Sequence, residues 1–177
     1  MEHEYLKIGR NSLNGNENNF LFRNLGGALP EFEPAAYVSG ADCIEDSRGV
    51  GVFDAEGDGD LDLVVQTVEG PTLLLMNQGS EGHWLQVRLH GVESNRDAIG
   101  ARIDLRIGDR WLTREVGTSA GYISGQSLVA HFGLGAAERA DELRVHWPLG
   151  GLTRVSGVDA DQRLELVEPP TLGSRSR

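Results

Sequence analysis

An acidic loop in the first half of the chain has the residue types and the spacing of a metal site. Five carboxylates stand at alternate positions over nine residues, with a glycine, Gly59, at the sixth position. Ca²⁺ takes about six to eight oxygen ligands, and a glycine lets the loop turn sharply around the ion. Without a cation, carboxylates at this spacing repel one another strongly. The pattern therefore predicts a Ca²⁺ site whose ligands are Asp54, Glu56, Asp58, Asp60 and Asp62.

The five residues are expected to take different roles at this site. The first three would give side-chain oxygens, Asp60 would give its backbone carbonyl, and Asp62 would close the coordination shell. Mg²⁺ is disfavoured because it keeps several waters and rarely occupies an all-protein cage. An EF-hand would need a glutamate at the twelfth position, where this chain has Val65, and a helix on each side. The flanking residues instead have the composition of strands, which predicts a strand–loop–strand site.

The elements that position this loop are predicted to be short strands. Glycine accounts for 24 of the 177 residues, and short runs of branched and aromatic residues lie between the glycines. Apolar and polar residues alternate in 85–89 and 102–107, so each segment should put one face in a core and one in water. Gly108 and Asp109 predict a two-residue hairpin turn. The predicted fold class is all-β, with strands near 19–24, 49–54, 61–67, 72–77, 83–90, 100–107, 110–117, 127–132, 142–147, 152–156 and 162–167, and a helical turn within 136–142.

Charge and composition exclude several classes of protein. The net charge is −11, and residues 1–80 hold 14 acidic residues against four basic ones. A chain this acidic repels phosphate backbones, so no nucleic-acid partner is expected. No apolar run is long enough to cross a bilayer, so no membrane insertion is expected, and no secretory signal peptide is visible on the chain. The one cysteine, Cys43, has no partner for an internal disulfide.

An internal repeat lies on both sides of the acidic loop. Residues 20–26 align with residues 73–79, and in both an apolar strand ends in Asn-x-Gly. Gly51-Val52-Phe53-Asp54 through Leu63-Val64-Val65 resembles the FG-GAP/VCBS repeat, a blade of integrin-α-type β-propellers. The resemblance implies Ca²⁺ binding by the loop between two blade strands, although Glu56 replaces the usual Asp or Asn. Because a propeller typically needs about four to eight blades, one full repeat predicts an incomplete propeller and a fragment or short form of a larger protein.

The second half of the chain carries several short motifs in a fixed order. They are His83-Trp84-Leu85, residues 94–101, Gly121-Tyr122, residues 131–135 and residues 145–148. These motifs resemble the ASPIC/UnbV domain of the cartilage acidic protein family, over residues 83–168. In that family FG-GAP/VCBS repeats directly precede the domain. The resemblance implies a secreted or cell-surface protein, so an extracellular location, and it implies no enzymatic activity.

Together these patterns predict two domains and a tail. Residues 1–80 form the FG-GAP/VCBS repeat region, residues 81–168 form a β-sandwich-like ASPIC/UnbV domain, and residues 169–177 form a disordered tail. The predicted function is that of a calcium-binding, non-enzymatic interaction or adhesion module. It would bind an unidentified protein or glycan partner through loops at the strand ends. Unpaired strand edges of the incomplete propeller favour self-association.

The alternative hypotheses are an enzyme that acts on carbohydrate or an ester, and a truncated piece without independent function. Residues 117–121 match the G-x-S-x-G pattern of hydrolases, but no helix pattern follows, so Ser119 is interpreted as a turn residue and no catalytic residue is predicted. Ser94-Asn95-Arg96-Asp97 is interpreted as a structural loop, with a binding role as the alternative. The three tryptophans are interpreted as packing residues, with a sugar-stacking platform as the alternative.

Overall fold

The chain divides into two compact units. The computed structural model describes residues 17–27, 29–68, 70–79, 82–118, 121–122 and 124–170. One unit contains the described residues up to Val50 together with Leu63–Leu75, and the other contains Gly51–Asp62 and the described residues from Met76 onward. The acidic loop therefore belongs to the same unit as the C-terminal strands. Most of the predicted tail, residues 171–177, lies outside the described residues.

Five strands and one short helix make up the first half of the described chain. They are, in chain order, β1 (Phe22–Asn24), β2 (Phe32–Pro34), α1 (Ala36–Ser39), β3 (Ser47–Phe53), β4 (Asp62–Thr67) and β5 (Leu73–Leu75). β1 and β2 pair antiparallel, and the other three strands form an open sheet in the order β3–β4–β5. Burial stabilises the segment around β1 and β2 only slightly, because aromatic side chains such as Phe20, Phe22 and Tyr37 stay exposed.

Seven strands of six to eight residues make up the second half. They are β6 (His83–His90), β7 (Arg102–Ile107), β8 (Arg110–Glu115), β9 (Ala130–Gly135), β10 (Arg139–His146), β11 (Leu152–Asp159) and β12 (Gln162–Val167). Four of them form a sheet in the order β11–β10–β7–β8, and three form a sheet in the order β12–β6–β9. β12 runs parallel to β6, in a register that places Arg163 beside Gln86.

The two sheets of the second half share one hydrophobic core. Alternate residues of several strands point into this core and are fully buried, among them Leu85, Ile103, Leu105, Phe132 and Leu143. Burial of a side chain of this size stabilises the fold by about 1.5–3 kcal/mol. A core shared by two packed sheets is the arrangement that a sandwich-like domain requires.

The predicted hairpin is confirmed. β7 and β8 pair antiparallel with Ile107 opposite Arg110, and Gly108 between them has a φ of 57°. The helical turn predicted within 136–142 is wrong, because β10 already begins at Arg139. Ala140 pairs with Val158 of β11 and is fully buried in the shared core, which requires extended backbone at this point.

The exposure of two side chains also differs from the prediction. Gln86 was expected on a water-facing side of its strand, yet it is only 2% exposed, because Asp54 and Arg163 cover it. Trp111 was interpreted as a packing residue of the core or between sheets, yet it is 41% exposed, with the guanidinium of Arg144 lying 4.4 Å from its ring centroid. β2 and α1 have no counterpart in the predicted strands, since segments of three or four residues carry no periodic pattern.

The all-β fold class is confirmed for the described residues, of which 49% lie in strands and 3% in helix. All sheets among these residues are open, so the incomplete propeller stays a prediction, as does the domain boundary at residue 80. Within the described part of the chain, no helix is long and apolar enough to cross a membrane.

Candidate metal centre

The acidic loop connects β3 to β4. It begins at Asp54, directly after β3, and ends at Asp62, the first residue of β4. Gly57 and Gly59 have φ values of 79° and 95°, a region that residues with a Cβ rarely adopt. The turn expected at Gly59 is therefore present, and Gly57 adds a second one.

Asp54 is held by three hydrogen bonds. Its Oδ1 accepts from the backbone N–H of Gly57 at 2.6 Å, and its Oδ2 accepts from the N–H of Gly59 at 3.1 Å. The same Oδ2 accepts from the side-chain amide of Gln86 at 2.7 Å. A carboxylate oxygen has two lone pairs. Oδ2 thus accepts two hydrogen bonds and Oδ1 only one, so Oδ1 is the more open of the two oxygens to another ligand.

Asp62 is the most deeply buried carboxylate of the loop, with 1% of its surface exposed. Its Oδ2 accepts from the backbone N–H of Ala55 at 2.8 Å, and its Oδ1 accepts from the N–H of Asn77 at 2.8 Å. A buried charge needs such partners, because burying an unpaired one is strongly unfavourable. The bond to Ala55 joins the two ends of the loop, and each of these bonds leaves its oxygen a second lone pair.

The other three loop carboxylates differ in exposure. Asp60 is buried, whereas Glu56 and Asp58 are exposed. Oδ1 of Asp58 accepts from the N–H of Asp60 at 3.0 Å. Partial loss of hydration, followed by the negative charges of Asp58 and Asp62, raises the pKa of Glu56 above its ordinary value. The loop therefore concentrates negative charge around Glu56.

Two aromatic side chains from β6 and β9 hold the loop at Gly59. The indole of Trp84 lies so close that a Cβ added to Gly59 would collide with it. Nε2 of His131 lies 2.8 Å from the carbonyl oxygen of Gly59. Because a carbonyl only accepts, this imidazole carries its proton on Nε2. Both the positive φ and the packed indole therefore require glycine at this position.

Gln86 and Arg163 extend the hydrogen bonding of Asp54 into the β12–β6–β9 sheet. Nε and Nη2 of Arg163 donate to Oε1 of Gln86 at 2.9 and 2.7 Å. A guanidinium has donors only, so the amide must turn its oxygen toward Arg163 and its nitrogen toward Asp54. Strand alternation gives no sign of this role, because the partners that cover Gln86 are far away in sequence.

A cavity of about 720 Å³ borders the hydrogen-bonded chain of Asp54, Gln86 and Arg163. All three residues line it, together with the side chains of Val52 and Phe53. The cavity therefore lies beside this hydrogen-bonded chain, in which Gln86 itself is buried.

The donor set of the loop fits a hard cation. All five predicted ligands offer oxygen, and none offers nitrogen or sulfur, which suits Ca²⁺. Asp54 and Asp62 are anchored by backbone N–H groups and keep lone pairs for a further ligand. Within the described residues, no three His, Cys, Asp or Glu side chains already stand together as a metal-binding group. The five ligands and Ca²⁺ therefore stay a prediction.

Glu168 anchors residues 92–94, where the polar segment 94–97 begins. Oε2 of this buried carboxylate accepts from the N–H groups of Val92, Glu93 and Ser94 at 2.8, 2.9 and 2.7 Å. Its Oε1 accepts from the hydroxyl of Ser94 at 2.8 Å. Burial alone would raise the pKa of Glu168, but these hydrogen bonds outweigh burial and hold the pKa below its ordinary value. The carboxylate is thus satisfied as an anion.

The remaining residues of segment 94–97 make the hydrogen bonds and ion pairs typical of a turn. The amide of Asn95 accepts from the N–H of Ile99 at 2.8 Å and donates to its carbonyl at 2.9 Å. Arg96 lies 3.6 Å from the carboxylate of Asp97, and Arg88 lies closer to it, at 2.9 Å. Internal bonds thus account for these residue types, which supports the structural interpretation.

The hydrolase pattern at 117–121 gains no support from the structure, because Ser119 lies outside the described residues. The histidines of β9 and β10 are strand residues, and each has one hydrogen-bonded ring nitrogen. His131 bonds to Gly59, and Nε2 of His146 lies 2.9 Å from Oδ2 of Asp104.

The described residues form an all-β structure in which hydrogen bonds hold the acidic loop against the β12–β6–β9 sheet. Residues 91–172 match the family described as ASPIC and UnbV, which confirms the ASPIC/UnbV resemblance for this part of the chain. The cartilage acidic protein 1 of Mus musculus and that of Homo sapiens are each 33% identical over 138 residues, 72% of this chain and 21% of theirs. The Xenopus tropicalis protein of the same name is 36% identical over 112 residues, 59% of this chain and 17% of its own. The chain thus spans about a fifth of the length of the curated relatives it matches.

Proposed function

We propose that this chain is a calcium-binding, non-enzymatic interaction module of an extracellular protein. The observation that carries the proposal is the set of five carboxylates on one short loop, in which Asp54 and Asp62 are anchored and keep lone pairs. Similarity to cartilage acidic protein 1 and the ASPIC/UnbV match support the extracellular, non-enzymatic part of the proposal. Bound Ca²⁺ would supply charge neutralisation, which relieves the repulsion among the loop carboxylates.

The chain's own residues would prepare this site in two ways. Backbone N–H groups hold Asp54 and Asp62 in place before a cation arrives, and Trp84 with His131 holds the turn at Gly59. Glu56 and Asp58 are exposed, so their side chains are accessible to a cation that would complete the ligand set. Cation binding would therefore add rigidity mainly in the outer part of the loop.

The proposal extends to the setting of the loop. Residues 1–80 would form an FG-GAP/VCBS repeat region, an incomplete propeller, ahead of the ASPIC/UnbV domain. A protein or glycan partner would bind at loops at the strand ends, where binding residues are often found. Unpaired strand edges of the first half would favour self-association.

Calorimetric titration of Ca²⁺ into the chelator-stripped chain, with excess Mg²⁺ present, tests the proposal. We expect saturable binding of one Ca²⁺ per chain, lost in Asp58→Ala and kept in the charge-matched control Glu138→Ala, whose exposed residue lies outside the loop. Absence of binding by a folded wild-type chain would refute the calcium site. Equal loss in both variants would show that only the overall charge of the chain matters.

A further inference from the structure

We propose that Gln86 and Arg163 are positioning residues for the cation site, acting through Asp54. This inference rests on the calcium site proposed above. Gln86 occupies the second lone pair of Asp54 Oδ2, so that Oδ1 is the oxygen left to bind a cation. The affinity of a loop in the first half of the chain would then depend on two side chains of the C-terminal sheets.

The hydrogen bonds all run in one direction, from the guanidinium of Arg163 through the amide of Gln86 to the carboxylate of Asp54. Arg163 donates two bonds to Gln86, and Gln86 donates one bond to Asp54. Because Arg163 has no acceptor, the amide of Gln86 has only one orientation, with its N–H groups toward the carboxylate. Gln86 is 2% exposed, and hydrogen bonds in such surroundings are stronger than in water. Asp54 therefore has one preferred orientation before any ligand binds.

Sheet pairing explains why the two residues act together. β12 lies parallel to β6 with Arg163 directly beside Gln86, so the guanidinium reaches the amide without distortion of either strand. Partners of this kind orient metal ligands, and their removal typically lowers metal affinity about 10–100-fold. Without Gln86, Oδ2 of Asp54 would regain a lone pair, and the carboxylate would lose the bond that fixes its orientation.

Ca²⁺ titration of variants of the full chain tests the proposal. We expect Gln86→Leu to weaken Ca²⁺ binding by about tenfold and Arg163→Leu to weaken it less, because Arg163 acts through Gln86. The double variant should bind no more weakly than Gln86→Leu alone, which is the non-additivity of residues in one network. Gln162→Leu is the matched control, since Gln162 lies next to Arg163 and donates to the carbonyl of Asp159.

A second measurement keeps the test decisive if Gln86→Leu fails to fold. In the wild-type chain, the side-chain NH₂ resonances of Gln86 should shift with Ca²⁺ at the same dissociation constant as calorimetry gives, while those of Gln162 stay in place. Wild-type binding that Gln86→Leu leaves unchanged, or a Gln86 resonance that Ca²⁺ does not move, would overturn the positioning role and leave the calcium site standing. A wild-type chain that binds no Ca²⁺ would overturn both.

Discussion

The side-chain amide of Gln86 donates a 2.7 Å hydrogen bond to Oδ2 of Asp54, 32 residues earlier in the chain. Gln86 is a buried residue of β6, and Asp54 is the first residue of the acidic loop. The bond therefore fastens the loop to the sheets that follow it, and the loop belongs to the same compact unit as those sheets. Changes in the loop should accordingly alter the stability of the C-terminal sheets as well as cation binding.

Asp62 should stabilise the folded chain even when no cation is bound. Replacement by Ala leaves the N–H groups of Ala55 and Asn77 without their acceptor. We expect Asp62→Ala to lower the free energy of unfolding by about 3 kcal/mol, measured by urea denaturation in the presence of a chelator. Asp58→Ala, at an exposed position of the same loop, should cost much less under these conditions. Equal effects of the two variants would contradict the anchoring role.

The two glycines of the loop should tolerate Ala differently. Both have positive φ, which costs about 1–2 kcal/mol for a residue with a Cβ. A Cβ meets open space at Gly57 but the indole of Trp84 at Gly59. We therefore expect Gly59→Ala to lower the free energy of unfolding by about 1–3 kcal/mol more than Gly57→Ala does. Thermal or urea denaturation measures the difference, and a shift in tryptophan fluorescence in Gly59→Ala alone would trace it to Trp84.

Glu168 should make stability depend on pH in the acid range. Its pKa is lower in the folded chain than in the unfolded chain, so the unfolded state takes up the proton more readily. Its contribution is fully present above the unfolded pKa of about 4.3 and is lost as the pH falls through the lower folded value. We expect wild type to exceed Glu168→Gln in the free energy of unfolding at pH 7, and this gap to shrink below about pH 4.3. A gap that stays constant down to pH 3 would contradict this account.

Ca²⁺ should stabilise the folded chain by mass action. At a free concentration of 100 times the dissociation constant, the free energy of unfolding should rise by about 2.7 kcal/mol. For a chain of this length that corresponds to roughly 5–10 °C in melting temperature. Thermal denaturation with Ca²⁺ and then with excess chelator measures the shift and its reversal. Asp58→Ala should show no shift, and stabilisation that survives this substitution would place the cation elsewhere.

Two tryptophans should differ sharply when replaced by Ala. Trp147 is 4% exposed and belongs to the shared core, whereas Trp111 is 41% exposed beneath Arg144. We expect Trp147→Ala to cost about 3–5 kcal/mol in the free energy of unfolding. Trp111→Ala should cost about 1 kcal/mol, the scale of an exposed cation–π contact. A large loss for Trp111→Ala, measured by urea denaturation, would show that it supports the core after all.

The strands and the hairpin could be predicted because their signals are local. Alternation in residues 102–107 places Ile103 and Leu105 in the core, and Gly108 with Asp109 marks the turn. The candidate ligands are likewise a local pattern of oxygen donors and glycine within nine residues. Such signals depend on neighbours one to four positions away, which the sequence displays directly.

Tertiary structure decided what depends on partners far along the chain. Gln86 and Trp111 each lie in a strand of alternating residues, yet one is buried and the other exposed. Asp54 and Arg163 cover Gln86, whereas the guanidinium groups of Arg106 and Arg144 lie over Trp111 and leave it 41% exposed. The parallel pairing of β12 with β6 brings Arg163 to Gln86. Alternation states which side of a strand a residue occupies, whereas burial depends on what packs against that side. The sequence alone therefore determined the loop's pattern of alternate carboxylates and the all-β class, and only the tertiary structure connected that loop to the C-terminal sheets.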